Sequence, residues 1–213
     1  MTERATLASG SGLWIRGRAS HLAVLAGLAL SVTGCGLFQP DYPSLAVADD
    51  VDFDRYLGRW YEIARYPNDF EQGCRGVTAN YTELDDGRIR VLNTCRDDDG
   101  DLTERIAGVA RVVGNAKLKV SFFWPFEGDY WILEIGPDYE YAVVGEPSRE
   151  FFWILSRTPT MDDATLQPIL DRMPEWRYDP DRLYFVPQFD EPADEQAFTT
   201  GSGRLPPNAG RLT

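Results

Sequence analysis

The chain has 213 residues, 43% hydrophobic and 13% aromatic, and sets 34 Asp and Glu against 21 Lys and Arg for a formal charge of −13. That balance excludes a nucleic-acid partner, whose phosphates are held by basic groups, and gives no electrostatic pull toward anionic lipid surfaces. The single histidine, His21, lies near the start, so the remainder excludes Ser/His/Asp and Cys/His nucleophile systems and the usual zinc sets; no enzymatic turnover, metal or cofactor is expected.

The first 34 residues read as an export signal: Arg4, Arg16 and Arg18 precede a short apolar stretch, Leu22 to Leu30, and then small residues. Nine residues are too few for a membrane span, which takes about 20. The following Val32-Thr33-Gly34-Cys35 resembles the lipobox of bacterial lipoprotein signals, in which the cysteine is acylated and becomes the new N-terminus. Two or three acyl chains anchor stably where one is marginal. An acidic residue after the cysteine is the usual inner-membrane retention signal; Gly36 stands there, which favours the outer membrane, with the protein facing the periplasm. An ordinary cleaved signal with an unrelated cysteine nearby is the alternative. Cleavage removes three arginines and Glu3, taking the charge from −13 to −15.

Residues 35–51, with Pro40 and Pro43, read as the lipidated N-terminus and a tether, 52–187 as the folded domain, and 188–213, rich in Pro, Gly, Asp and Glu, as a disordered tail. Within the domain, eight β-branched and aromatic runs are divided by turn signals: Trp60 to Tyr66, Val77 to Leu84, Arg88 to Arg96, Leu102 to Val112, Lys117 to Phe122, Tyr130 to Ile135, Tyr141 to Gly145 and Phe151 to Arg157. Asp85-Asp86-Gly87 predicts a tight hairpin, because Asp-Gly accepts the positive φ such turns require. Asp97 to Gly100 and Gly114-Asn115 punctuate the next two connections. The fifth run alternates, with Leu118, Val120 and Phe122 on one side and Lys117, Lys119 and Ser121 on the other.

The period then changes. Thr160, with Asp163 three residues on, predicts a helix cap, and Leu166, Ile169, Leu170 and Met173 fall on one helical stripe that must pack on a sheet. Pro168 removes a backbone donor and predicts a kink. Arg182 to Val186 is short enough for one returning strand. Eight sequential strands with hairpin connections and one late helix predict an all-β fold: an eight-stranded antiparallel up-and-down barrel with the helix packed outside. Such a barrel has room for side chains or one small ligand.

With Cys35 spent on lipid, Cys74 and Cys95 remain, and an exported chain with an even count invites a disulfide. The bridge would contribute roughly 3 kcal/mol; two buried free thiols are the alternative.

Three motifs in order bring in a family. Gly58-Arg59-Trp60-Tyr61 resembles the first lipocalin signature, Asp138-Tyr139-Glu140-Tyr141-Ala142 the second, and Phe152-Trp153-Ile154-Leu155-Ser156-Arg157-Thr158-Pro159 the third. The wider similarity, from about Phe53 to Val186, is to the branch holding bacterial outer-membrane lipocalins, plant temperature-induced lipocalins and apolipoprotein D. Trp60-Tyr61-Glu62-Ile63 and Tyr130-Trp131-Ile132-Leu133 read in that style. Only some members of the branch carry a Cys74/Cys95-type pair.

The resemblance implies that Trp60 plugs the closed end, that Arg157 lays its guanidinium over the indole, and that Gly58 allows close backbone approach. It implies an apolar cup for one small hydrophobic ligand, a fatty acid or lysophospholipid, which the protein stores or transports. Strand alternation together with the family pattern offers Ala79, Tyr81, Val91, Phe122, Trp131, Leu133, Tyr141 and Trp153 as ligand-binding positions; plain barrel core is the alternative for each. The run Phe122-Phe123-Trp124-Pro125-Phe126 is either an exposed patch or a lid. Two further readings stay open: a lipid-modifying enzyme with Glu62 as its acid or base, and a structural envelope protein with a filled barrel. A monomer and a homodimer both fit the pattern.

Overall fold

The computed structural model describes residues 42–189. The leader, Cys35 and the tail from residue 190 onward lie outside the described residues. Nine strands follow the chain: β1 (Gly58–Arg65), β2 (Arg75–Glu83), β3 (Ile89–Arg96), β4 (Leu102–Gly114), β5 (Lys117–Phe123), β6 (Phe126–Ile135), β7 (Tyr141–Gly145), β8 (Phe152–Ser156) and β9 (Tyr184–Phe185). Among the described residues there are two α-helices, α1 (Phe53–Tyr56) before β1 and α2 (Asp163–Arg172) after β8, and three short 3-10 turns at Asp69–Glu71, Met173–Trp176 and Pro180–Arg182.

From β1 to β8 each strand pairs antiparallel with the next, and β8 pairs back with β1, which closes an eight-stranded barrel and leaves β9 as an extra strand on β1. The up-and-down order puts the β1–β2, β3–β4, β5–β6 and β7–β8 connections at one end, the mouth. The β2–β3, β4–β5 and β6–β7 turns lie at the other, with the start of β1 and the end of β8.

Closure is not uniform. Gly58 to Tyr61 pair with β2, but from Ala64 onward β1 pairs with β9 on that side. The C-terminal segment fills the resulting seam: Val186 donates its backbone N–H to the Ile63 carbonyl at 2.9 Å, and Gly76 donates to the Pro187 carbonyl at 2.7 Å. The Gln188 side-chain amide bridges the Glu62 and Val77 carbonyls at 2.7 and 3.1 Å. Docking therefore reaches two residues beyond the boundary the sequence suggests: Gln188 satisfies backbone groups that the splayed strands leave unpaired, and the Phe189 ring lies against Gly76 and Gly100.

Residues 42–51 also differ from the free tether expected. Leu45 and Val51 are buried, Ala48 donates to the Ile132 carbonyl at 2.9 Å, and the Arg149 guanidinium donates to the Pro43 carbonyl at 2.8 Å with the Tyr42 ring beside it. The segment is a strap along the outer wall, held by its apolar residues.

Side chains sort into two principal cores. The inner one lines the barrel from Tyr56, Trp60 and Tyr81 through Leu118, Ile132 and Val144. The outer one lies under α2, where Ile169 and Met173 pack on Ile63, Val143, Phe152 and Ile154. The cap of α2 is Asp162, which accepts the Thr165 N–H at 2.7 Å, in place of the expected Thr160. The Thr160 carbonyl instead accepts the Thr158 hydroxyl, in the turn before the helix. Pro168 lies inside α2 without ending it.

Candidate functional site

The closed end is built around Trp60, which is fully buried. Its indole N–H donates to the Tyr56 carbonyl at 2.8 Å, and the Arg157 guanidinium lies 3.7 Å from its ring centre. Arg157 also donates to the carbonyls of Arg59 and Arg55 at 2.7 Å each, and of Tyr139 at 3.2 Å. One cation thus ties the chain entering β1 to the chain leaving β8. Gly58 has a φ of +92°, and a Cβ there would meet Arg157 Nη1 at 3.5 Å. The positive φ favours a residue without a side chain, whereas the 3.5 Å approach is an ordinary contact.

Above the indole, three tyrosine hydroxyls meet. Tyr130 lies 2.6 Å from Tyr56 and 2.9 Å from Tyr81, oxygen to oxygen. Burial pushes all three hydroxyls up in pKa, so they stay neutral. Higher again, Arg65 Nη1 donates to Glu62 Oε1 at 2.7 Å, and Arg65 Nη2 donates to the Glu71 carbonyl at 2.7 Å. Trp153 Nε1 reaches Glu71 Oε2 at 3.4 Å, so the β1–β2 loop folds in over part of the mouth. Burial, with Glu71 as a like charge nearby, holds the Glu62 carboxyl well above the ordinary carboxylate range, against the opposing pull of Arg65.

Not every inward position is sealed. Ala116, Leu118, Ala142 and Val144 have no accessible surface, whereas Ala79, Val120, Phe122 and Trp153, which belong to the same inner core, stay partly accessible. The Asn93 Oδ1, on the inward parity of β3 with Ile89 and Val91, is buried without a hydrogen-bond partner. Phe122 lies against Gly108, where a Cβ would come within 2.7 Å of its ring and 2.8 Å of the Ser121 carbonyl.

The expected ligand positions divide. Ala79, Tyr81, Val91, Phe122 and Trp153 face the interior. Trp131, Leu133 and Tyr141 do not, and this corrects the sequence reading: they belong to the outer core, and Tyr130, Ile132 and Ala142 hold the inward positions. Lys117 covers the Trp131 ring at 3.8 Å, Leu133 packs beneath α2, and the Tyr141 hydroxyl donates to Glu134, the partner of Arg172 on α2. Both faces of β6 and β7 are buried, one inside the barrel and one under the helix, so apolar alternation carries no sign of which is inward. Sequence reasoning also missed Tyr56, Arg65, Glu71, Asn93 and Tyr130. The charged pair of Glu62 and Arg65 inside an apolar run was the available signal for Arg65.

Cys74 and Cys95 form a disulfide that staples the start of β2 to the end of β3, beside Val77 and Val186. The aromatic run after Phe122 is an open tip. Phe123 pairs with Phe126 across Trp124-Pro125, so β6 begins four residues earlier than expected; Phe123, Trp124 and Phe126 are 70%, 91% and 77% exposed.

Residues 51–188 match the family model for a lipocalin-like domain. Outer membrane lipoprotein Blc of Escherichia coli (strain K12) is 38% identical over 170 residues, 78% of this chain and 96% of that protein. Temperature-induced lipocalin-1 of Arabidopsis thaliana is 40% identical over 161 residues, covering 70% and 86% of the two chains. Apolipoprotein D of Mus musculus is 38% identical over 164 residues, covering 70% and 84%. Among solved structures, insecticyanin from the tobacco hornworm Manduca sexta superposes with a TM-score of 0.57 at 20% identity, over 70% of this chain and 86% of that one.

Proposed function

The chain belongs to the lipocalin family, and from that premise we propose that it is a carrier, acyl-anchored to the outer membrane through Cys35 and facing the periplasm, that takes up one long-chain fatty acid or lysophospholipid. The observation that carries this reading is the set of inward-facing residues that stay partly accessible, Ala79, Val120, Phe122 and Trp153, since inward positions of a closed barrel keep accessible surface where its interior is not packed solid. The name of the Blc relatives, outer membrane lipoproteins, supports the location.

The polar groups favour a ligand that enters tail first. Arg65 Nη1 and Nη2 are engaged by the Glu62 carboxyl and the Glu71 carbonyl, with the Glu71 carboxylate 3.7 Å from Nε, so this buried cation is tied into the wall and an anionic head group is best left at the wet mouth. Glu62 is committed to the same network, which supports carriage over catalysis.

The test titrates delipidated protein with a fluorescent fatty acid and a fluorescent lysophospholipid. Saturable one-to-one binding is expected, abolished by Ala79→Trp and left intact by Trp131→Ala, whose side chain lies on the outer wall. Ligand recovered afterwards should be chemically unchanged by mass spectrometry. Failure of both probes to saturate would overturn the proposal.

A further inference from the structure

We infer that the mouth end of the barrel docks onto a phospholipid surface, with the β5–β6 tip residues Phe123, Trp124 and Phe126 inserted among the head groups. Three observations converge on that end. The first is the tip itself, whose three large aromatics stand 70–91% exposed on a short two-residue turn. Exposed apolar surface of that kind marks a contact site, and Trp in particular favours the interface of a bilayer, with its apolar body buried and its N–H wet.

The second is Phe70, 62% exposed on the β1–β2 loop, its ring tilted against Phe151 of the neighbouring β7–β8 connection at 5.6 Å. It adds an apolar element to the same rim. Asp97, Asp98, Asp99 and Asp101 crowd the β3–β4 turn, and exposed Asp69 and Glu150 flank Phe70 and Phe151, so the rim sets apolar tips among acidic residues.

The third is the path of the N-terminal strap. It crosses the closed end at Asp52, whose N–H donates to the Tyr139 hydroxyl at 2.7 Å, and runs back along the outer wall to Tyr42 and Pro43 on Arg149 of the β7–β8 connection. Tyr42, the first described residue, therefore stands at the mouth end. Seven residue steps separate Tyr42 from Cys35, a reach of at most about 25 Å. An acyl group on Cys35 would hold the mouth, and not the closed end, against the bilayer. That third argument rests on the anchoring proposed above; the first two stand without it.

The occupant that fits is a zwitterionic phospholipid surface. A net charge of −13 and the acidic turn on the rim oppose anionic head groups, while aromatic insertion needs no charge. Docked in this way, the hollow opens toward the leaflet that supplies or receives the ligand.

The test uses the protein as purified from its native membrane, mixed with phosphatidylethanolamine/phosphatidylcholine vesicles whose acyl chains are brominated. The emission lost on changing Trp124→Phe isolates that indole. Its quenching by brominated lipid, with protection from aqueous acrylamide, is expected. A second readout is transfer of a fluorescent lysophospholipid to the vesicles, which Phe123→Ser/Trp124→Ser/Phe126→Ser should slow at least tenfold. That variant should still bind the same probe in solution, which separates loss of docking from loss of the cup. A Trp124 that acrylamide reaches and brominated lipid does not would overturn the inference. So would a wild-type dimer that the triple variant turns into a monomer with unchanged lipid transfer, since the tip would then be an interface between copies.

Discussion

Trp60 and Trp153 face the same barrel interior, one at the closed end and one toward the mouth, and they are held in different ways. Trp60 has no accessible surface, a hydrogen bond to a backbone carbonyl, a guanidinium on one face and the Tyr56 ring at 4.9 Å. Trp153 stays partly accessible, reaches a loop carboxylate at 3.4 Å and stacks at 5.8 Å on Phe151, which in turn touches exposed Phe70. The first environment is fixed by chain closure. The second depends on how loops lie at the mouth, and so it can change when a ligand enters. The barrel concentrates its packing at one end and keeps its adjustable contacts at the other.

Substitutions at the two ends should therefore separate stability from binding. The largest effect is expected for Trp60→Ala, which empties a fully buried indole site and should cost about 3–5 kcal/mol in urea denaturation. Opening the disulfide with Cys74→Ser should cost roughly 3 kcal/mol, since the closed loop spans 21 residues of separation. Reduced wild type should match that variant. Next comes Arg157→Gln, which removes the cation over Trp60 and three carbonyl contacts; about 1–3 kcal/mol is expected, with ligand affinity unchanged. A large loss of affinity in Arg157→Gln at unchanged stability would break the division between the ends.

Much of the barrel was legible because its signals are local. The bounds of β7, Tyr141–Gly145, follow from a β-branched run between turn residues, and Gly87 takes the positive φ that Asp86-Gly87 announces. The helical stripe of Ile169 and Met173 is likewise a matter of period. What escaped was non-local. The four-residue α1 is too short to show a period, although Asp52 caps it through the N–H groups of Asp54 and Arg55. The inward parity of β6 depends on register with Lys117 and on which face α2 covers, and the run Tyr130-Trp131-Ile132-Leu133 is apolar on both sides. The seam filled by residues 184–188 arises from the splaying of β1 and β2, which no local pattern records.

The smallest expected effect is a slope with pH, and it belongs to the mouth side. Glu62 is buried beside Glu71, and its carboxyl binds a proton more tightly in the fold than in the unfolded chain, where its pKa is about 4.3. The native state then holds a proton that the unfolded state has released. Glu62 therefore contributes stability that is complete below the unfolded pKa and is lost as pH rises through the folded one. Wild type should thus lose stability from about pH 5 upward relative to Glu62→Gln, whose amide mimics the neutral acid and keeps its place beside Arg65. Urea midpoints measured across that range read the difference directly. A gap between the two proteins that does not change with pH would mean that Glu62 stays ionised against Arg65, and that the mouth, like the closed end, is organised around a fixed cation.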